Sequence, residues 1–216
     1  MAYIYQPHRF LLQKAINKNR KLIGGRILDV GAGSVNRYKN FFQYKYYKRL
    51  DIQRGDNIDI VGSAEDIPAE NASFDSIICT QVLGDIYDFN KVISEFNRVL
   101  TVGGTVMLSE SFFDFLHNEP HDYWRFTKHA LQKMFTDKNF EILTMDRIGG
   151  FYATKAQMNI RYLIFKWRLY NSRFARLFSV FFKFYGSVAI MFDAWDKNSA
   201  NKSFCLGWLI ITRKIK

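Results

Sequence analysis

Over residues 26–36 the chain reads Arg-Ile-Leu-Asp-Val-Gly-Ala-Gly-Ser-Val-Asn. A short apolar run that ends at alternating glycines is typical of a buried strand followed by a tight turn. Glycine also lets a ligand approach the backbone closely, because it has no Cβ. A dinucleotide-binding fingerprint would place a third glycine at position 36, where this chain has Asn36. The stretch therefore predicts either another kind of ligand loop or a glycine-rich turn without a ligand.

Six further apolar runs alternate with helical patterns along the chain. Apolar residues recur at steps of three and four over 89–100, and Thr127 is a candidate cap for a second helix with Ala130, Leu131, Met134 and Phe135 on its inner face. Strands that alternate with helices predict an α/β fold with a largely parallel sheet, in which ligands bind beyond the carboxyl ends of the strands. The predicted strands are 26–30, 47–52, 58–61, 74–80, 105–109, 140–145 and 204–212.

The acidic residue and glycines of the first loop resemble the first motif of the class I S-adenosylmethionine-dependent methyltransferases. Asp29, Gly31 and Gly33 fit that motif, and Val35 replaces its usual third glycine. Asp51 ends the second predicted strand, where a carboxylate can accept hydrogen bonds from both ribose hydroxyls. A turn-initiating aspartate is the alternative interpretation of Asp51.

Three later segments follow the order of the same family. Residues 62–68 read Gly-Ser-Ala-Glu-Asp-Ile-Pro and resemble the segment that lines the adenine, with Ser63 in place of the more usual aspartate. Residues 74–83 resemble the fourth strand with its loop, and residues 97–104 resemble the Arg-Val-Leu-x-x-Gly-Gly signature. The matches cover about residues 23–148 and are nearest to the small-molecule and glycan-cluster type, with a ubiquinone/menaquinone methyltransferase-like domain.

This resemblance implies a Rossmann-like, seven-stranded, mostly parallel sheet with helices on both faces and a basic, aromatic helical insertion before the last strand. It implies S-adenosylmethionine as the cofactor, S-adenosylhomocysteine as the product, and no metal. We predict one domain with a helical cap at 1–22, a cofactor-binding core at 23–148, the helical insertion at 149–203 and a final strand at 204–216. The implied cofactor-binding residues are Asp29, Gly31, Ala32, Gly33, Asp51, Ile52, Ser63, Ala64, Glu65 and Gln81.

Residues 117–127, His-Asn-Glu-Pro-His-Asp-Tyr-Trp-Arg-Phe-Thr, are dense in groups that transfer protons or orient a polar substrate. Methyl transfer to a hydroxyl requires a base, and histidine suits that task. We predict His121 or His117 as the base, Asp122 as its orienting partner, and Tyr123 or Arg125 as substrate contacts. The alternative is structural, with His121 in a turn and Arg125 paired with a buried acid. A zinc site at the two histidines is disfavoured by Pro120, and no third ligand is evident.

The family often has Glu-His after the fourth strand, where this chain has Gly84 and Asp85. If Glu-His assists catalysis in the family, either Asp85 performs that function in this chain or the function is absent.

The positive charge is concentrated near the carboxyl terminus. The chain has a formal charge of +11, and residues 151–216 hold 12 basic and 2 acidic side chains. Drawn as one continuous helix, the segment 161–185 places most basic residues on one side and aromatic residues on the other. Asn171 and Ser172 could instead divide the segment into two helices, which would break this register. Two interpretations stay open for the 157–185 segment: a core-packing helix pair with a solvated outer face, or a peripheral contact with an anionic membrane.

The composition indicates a cellular compartment for the protein. Two cysteines favour a reducing compartment, and no apolar run of signal-peptide length follows Met1. The longest uncharged runs, 99–109 and 203–212, are shorter than the ~18 residues of a membrane-spanning helix. We expect a cytoplasmic protein, with a peripheral position at the inner face of the membrane as an extension of the basic-segment hypothesis.

The predicted function is O-methylation of a sugar, a lipid-linked glycan or another small hydroxylated metabolite. One alternative is a tRNA or rRNA methyltransferase, which the net charge favours. It is weakened because the Asn/Asp-Pro-Pro-Tyr run typical of base-amino methylation is replaced by Thr-Gln-Val-Leu at 80–83. The other alternative is a cofactor-binding or membrane-docked interaction protein without turnover. The sequence leaves the oligomeric state open.

Overall fold

The computed structural model describes residues 4–35 and 37–216. Asn36, the residue at the third-glycine position of the dinucleotide fingerprint, and residues 1–3 of the predicted cap lie outside the described residues. Within the described part, the elements follow the alternation that the sequence predicts.

Seven strands form one sheet in the order β3-β2-β1-β4-β5-β7-β6. The pairs β1–β2, β1–β4, β2–β3 and β4–β5 run parallel. Each predicted strand is present, so the predicted α/β fold is confirmed. The strands are β1 (Gly24–Val30), β2 (Gln43–Asp51), β3 (Ile60–Val61), β4 (Phe74–Thr80), β5 (Leu100–Ser111), β6 (Phe140–Ile148) and β7 (Gly207–Lys214).

Helix boundaries are set by the capping residues. The Asp88 carboxylate accepts the backbone N–H of Lys91 at the start of α2, and the Thr127 hydroxyl accepts that of Ala130 at the start of α3. Leu131, Met134 and Phe135 on α3 are buried, as expected for its inner face. Ala130, also expected on that face, is exposed. The α-helices are α1 (Pro7–Asn19), α2 (Phe89–Val99), α3 (Lys128–Thr136), α4 (Phe151–Lys166), α5 (Ala175–Trp195) and α6 (Ser199–Lys202). Short 3-10 helices span Arg20–Leu22, Lys39–Phe41, Leu83–Asp85 and Leu169–Asn171.

The central strands carry the core. Their fully buried side chains pack with the apolar faces of α2 and α3 in one cluster, which includes Ile77, Phe96 and Phe135. Removing such a side chain from a close-packed core costs about 2–5 kcal/mol. The cluster therefore holds the strand ends, and the loops that follow them, in fixed positions.

The described residues divide into two compact units. One comprises Ile16–Ser111, Leu116–Asp146 and Trp208–Lys216 and contains most of the sheet. The other comprises the described residues of Met1–Ala15, Phe112–Phe115 and Arg147–Gly207, and includes α4 and α5.

The 161–185 segment is divided into two helices, as the alternative interpretation allowed, so the basic arc of a single continuous helix does not apply. Helix α4 ends at Lys166, Arg168 takes a left-handed backbone with φ of 48°, and α5 begins at Ala175. Among the described residues, α5 alone has the length and apolar composition of a membrane span, a test that a core helix of a soluble protein also passes. Sequence inspection missed it because charged residues interrupt its apolar run.

Candidate functional site

Two adjoining cavities lie where β1, β2 and β4 end. Their volumes are about 310 Å³ and about 660 Å³, and both are lined by Gly31, Gly33 and Gln81. The smaller cavity also touches Asp29 and Ala32, and the larger one extends to Asp51 and to His121. Ligand pockets commonly measure ~300–1,000 Å³, so the space suits a small organic ligand.

The glycine loop after β1 is shaped by positive backbone angles. Gly31 and Gly33 have φ of 66° and 62°. A Cβ on Gly31 would overlap the Val82 side chain, so the loop and the segment after β4 are in close approach there. A Cβ on Gly33 would meet no atom within 4 Å. Gly33 therefore leaves its backbone open on that side.

Arg49 on β2 binds the glycine loop through hydrogen bonds. Its guanidinium donates to the carbonyl oxygens of Ala32 and Gly33, each at 2.9 Å, and to that of Asn57 at 2.8 Å. The side chain is buried, so these bonds are shielded from water. Sequence reasoning missed Arg49, although an arginine two residues before the end of a predicted buried strand was the available signal.

Two carboxylates flank the loop. Asp51 accepts the backbone N–H of Gly33 at 2.8 Å through one oxygen and that of Gln53 at 2.9 Å through the other. Asp29 is buried and accepts the Tyr47 hydroxyl at 2.8 Å. Burial raises the pKa of Asp29 to about 6, against the opposing effect of that hydrogen bond.

Residues 62–65 form a second wall of the larger cavity. Ser63, Ala64 and Glu65 all line it, together with Ile52, whose side chain is 74% exposed. The Ser63 hydroxyl accepts the backbone N–H of Glu65 at 3.1 Å. This places the predicted adenine-lining residues beside the predicted ribose-binding Asp51.

Arg98 of the Arg-Val-Leu-x-x-Gly-Gly signature supports that wall. Its guanidinium donates to the carbonyl oxygens of Ile67 and Ala69, and pairs with Glu95 at 2.7 Å. Glu95 in turn accepts the backbone N–H of Ile67 at 2.8 Å. The signature therefore anchors the wall and does not itself reach the cavity.

Glu110 organises the segment after β4. It is buried, and its carboxylate accepts the backbone N–H groups of Val82 at 3.0 Å, Leu83 at 2.9 Å and Gly84 at 3.3 Å. Burial raises its pKa to about 7, although these hydrogen bonds act in the opposite direction. Sequence reasoning missed Glu110, whose signal was an acidic residue directly after an apolar strand.

Gln81, at the end of β4, has an unusual backbone for its residue type. Its φ is 58°, a left-handed value that is rare outside glycine. Its side chain is held by Ser109 at 3.1 Å and by the Ser111 hydroxyl at 2.6 Å. A strained backbone that neighbouring residues hold in place is typical of functional sites.

The histidine segment borders the larger cavity through His121 and Tyr123. The Nδ1 atom of His121 lies 3.0 Å from the Tyr123 hydroxyl oxygen. The backbone N–H groups of Tyr123 and Trp124 both donate to the Gly84 carbonyl, at 2.9 and 3.0 Å. A Cβ on Gly84 would lie 3.1 Å from the Trp124 carbonyl oxygen. This close approach favours a glycine where the family often has a glutamate.

The other three predicted catalytic residues lie behind His121 and Tyr123. Arg125 binds both oxygens of Asp122, at 2.6 and 2.9 Å, and the nearby guanidinium lowers the pKa of Asp122 to about 2. The His117 ring lies 3.7 Å from Asp122 and 3.8 Å from Asp85. Of these three residues and Asp85, only Asp85 lines the larger cavity. Asp122 therefore orients Arg125, while the hydroxyl of Tyr123 meets the ring of His121.

Among the described residues, one group could hold a metal by geometry alone. Asp85, His117 and Asp122 offer ligand atoms within 4.8 Å of one another. Because the Arg125 guanidinium pairs with both oxygens of Asp122 and its positive charge would repel a cation, we assign no metal to this group.

Residues 28–108, which include the glycine loop and Asp51, match the family model described as a methyltransferase domain, Methyltransf_11. Over these 81 of its 216 residues the chain is similar to a methyltransferase domain. A relative in Methanocaldococcus jannaschii, the uncharacterized protein MJ1123, is 27% identical over 156 residues, 65% of this chain and 71% of that protein.

Two solved structures are similar to this chain in fold. Phosphoethanolamine N-methyltransferase 2 of Haemonchus contortus, bound to phosphomonomethylethanolamine and S-adenosylhomocysteine, has a TM-score of 0.61 at 15% identity and covers 98% of this chain and 54% of its own. The cyclase SpnF has a TM-score of 0.59 at 17% identity and covers 94% of this chain and 79% of its own. At these identities the likeness concerns the fold alone.

Proposed function

We propose that the protein is an S-adenosylmethionine-dependent O-methyltransferase whose acceptor is a sugar, a lipid-linked glycan or another small hydroxylated metabolite. The observation that carries the proposal is the larger cavity, which is lined by Asp51 at the cofactor side and by His121 and Tyr123 at another part of its wall.

The cofactor part of the cavity fits a nucleoside with an amino-acid arm. Each oxygen of Asp51 has one described backbone partner, and a carboxylate oxygen has a second lone pair with which it can accept a ribose hydroxyl. Ile52 offers an exposed apolar side chain beside Ala64 for an adenine. Asp29, in the smaller cavity, is a candidate partner for an ammonium group.

S-adenosylmethionine supplies an electrophilic methyl group and leaves as a neutral thioether, so no acid is needed for the leaving group. The chain must align the acceptor oxygen with the methyl carbon and remove the hydroxyl proton. His121 is the candidate base. In the tautomer whose Nδ1–H donates to the Tyr123 hydroxyl oxygen, Nε2 carries the lone pair that accepts the proton.

The surrounding residues have a positioning role in this proposal. The ion pair of Asp122 with Arg125 stiffens the histidine segment, and the Gly84 carbonyl holds the backbone next to it. Glu110 fixes Gly84 from the opposite side. Such support matters because small displacements of a reacting group are costly to the rate.

An acceptor screen tests the function. Purified protein is incubated with cofactor that carries a labelled methyl group, together with cell-envelope glycans, lipid intermediates or small phenols. We expect labelled product with one hydroxylated class and stoichiometric S-adenosylhomocysteine. Cofactor binding without turnover on any acceptor would favour the non-catalytic interaction protein. Labelling of tRNA or rRNA, with binding that weakens steeply as salt rises, would favour the nucleic-acid enzyme.

A further inference from the structure

Helix α5 exposes a continuous apolar face. Leu177, Val180, Phe184 and Trp195 are 69%, 70%, 71% and 78% exposed. At ~100° per residue these four positions fall on one side of the helix. The buried residues Ala175, Phe182, Gly186 and Ala189 fall on the opposite side. The helix is therefore apolar both toward the protein and away from it.

Most of this exposed face lies in a stretch without negative charge that ends at Asp193. Residues 147–192 contain eight lysines and arginines and no aspartate or glutamate. Arg176 and Lys183 flank the apolar face on α5, and both are exposed. Such a distribution is complementary to a dense layer of anions, and positive charge beside an apolar stripe is typical of helices at membrane surfaces.

The chemistry of the face selects among anionic partners. Phe184 and Trp195 could stack on nucleic-acid bases, but the exposed Leu177, Val180 and Met191 on the same face would find no apolar partner there. Two copies that met through this face would bring their cations together. A phospholipid surface satisfies both features, because acyl chains accept the apolar side chains and phosphates accept the cations.

We propose that α5 docks in the plane of an anionic phospholipid bilayer, with its exposed apolar face among the acyl chains and Arg176 and Lys183 level with the headgroups. None of the residues that line the two cofactor cavities belongs to α5, and the proposal does not depend on the proposed reaction.

Several contacts keep α5 attached to its own unit. The Asp193 carboxylate accepts the backbone N–H groups of Gly150 at 2.8 Å and Ala153 at 3.0 Å, which start α4. The Ser179 hydroxyl accepts the backbone N–H of Tyr5 at 2.9 Å. A spanning helix would break these contacts and place Lys183 near the bilayer centre, which is costly. The in-plane arrangement preserves them.

Flotation with vesicles tests the proposal. The full chain without cofactor is mixed with vesicles of phosphatidylcholine alone or with phosphatidylglycerol added, at low and at high salt. We expect binding to the anionic vesicles that weakens at high salt. Phe184→Ser should weaken the partition coefficient about tenfold. Lys183→Gln should weaken it about fivefold, and only on anionic vesicles.

The chain offers a matched control. Val180 and Val102 are both 70% exposed, and Val102 lies on β5 in the other unit. Val180→Ser should lower vesicle binding several-fold, whereas Val102→Ser should leave it unchanged. Both substitutions are on the surface, and circular dichroism verifies that each variant is folded.

Three results would overturn the proposal. The first is the absence of flotation with anionic vesicles at low salt. If sedimentation then shows a dimer that Phe184→Ser dissociates, the exposed face binds a second copy of the chain instead. The second is equal binding by Val180→Ser and Val102→Ser. The third is protein that resists extraction by alkaline carbonate, which would indicate a spanning helix. Because no cofactor or acceptor is present, none of these results bears on methyl transfer.

Discussion

The guanidinium of Arg49 donates a hydrogen bond to the Gly33 carbonyl oxygen at 2.9 Å. Asp51, two residues later on the same strand, accepts the Gly33 N–H at 2.8 Å. Strand β2 thus holds both polar groups of one glycine in the loop that follows β1. The loop has its shape before a ligand arrives, which reduces the ordering cost of binding.

Arg49→Lys should weaken S-adenosylhomocysteine binding about tenfold. Lysine keeps the charge but loses the planar fork that reaches three carbonyl oxygens at once, and each lost bond is worth about 1 kcal/mol. Isothermal calorimetry measures the change. Arg54→Lys, an exposed arginine in the loop after β2, is the control and should bind as the parent does. Equal affinity of the two variants would refute this role for Arg49.

Glu110 should make the stability of the protein depend on pH. Its carboxyl pKa is about 7 when folded and close to 4.5 when unfolded, so the folded state binds more protons between these values. The free energy of unfolding should therefore fall as pH rises from about 4.5 to about 7, by about 2 kcal/mol between pH 5 and pH 8. Urea titrations of the cofactor-free protein at the two pH values measure this fall.

Glu110→Gln should remove that contribution to the pH dependence. Glutamine oxygen can still accept the N–H groups of Val82 and Leu83, but the side chain no longer titrates. Glu141→Gln is the matched control, since Glu141 is on the surface with Arg213. The free energy of unfolding should fall by the same amount between pH 5 and pH 8 in the parent and in Glu141→Gln. It should fall by less in Glu110→Gln. An unchanged slope in Glu110→Gln would show that Glu110 is not the titrating group.

The sequence was sufficient for the elements of the sheet but not for the residues that brace the site. Apolar runs ending at glycine or aspartate located β1 and β2, because burial and turn formation leave local signals. Arg49 and Glu110 leave weak signals, since their partners are backbone groups of segments distant in the chain. For Asp122 the sequence left two partners open, a histidine ring or Arg125, and the structure places Arg125 on its carboxylate with the His117 ring 3.7 Å away.

The basic segment illustrates a different limit. Its composition predicted helices with cations and aromatic rings, and both are present. The direction in which each side chain points depends on where α4 ends. The left-handed backbone at Arg168 interrupts the helical periodicity between α4 and α5. Which face of α5 is exposed could therefore not be derived from one continuous helical wheel.

His121→Ala should lower kcat about a hundredfold or more on the acceptor found by the screen, because general-base catalysis contributes ~10²–10⁴. Affinity for S-adenosylhomocysteine should remain unchanged. His129→Ala, which changes an exposed histidine on α3, should retain full activity. A His121→Ala enzyme with a kcat within twofold of the parent would exclude His121 as the base.

Tyr123→Phe should lower kcat less than His121→Ala does. Phenylalanine keeps the ring but removes the hydroxyl that lies 3.0 Å from Nδ1 of His121. Loss of this partner should also move the pH dependence of kcat, since it changes the tautomer and basicity of the imidazole. A pH–rate profile measures both effects. An unaltered profile with an unaltered kcat would place Tyr123 outside the proton transfer.

The most direct test of the cofactor site is a calorimetric titration of S-adenosylhomocysteine into the parent protein, Asp51→Asn and Asp56→Asn. Asp56 is an exposed aspartate five residues after Asp51, so it controls for the loss of one charge in the same loop. The parent and Asp56→Asn should bind with one affinity, and Asp51→Asn should bind about tenfold to a hundredfold more weakly, because hydrogen bonds to a charged acceptor are lost. Absence of binding by the folded parent, or equal binding by Asp51→Asn, would contradict the assignment of this cavity to the cofactor.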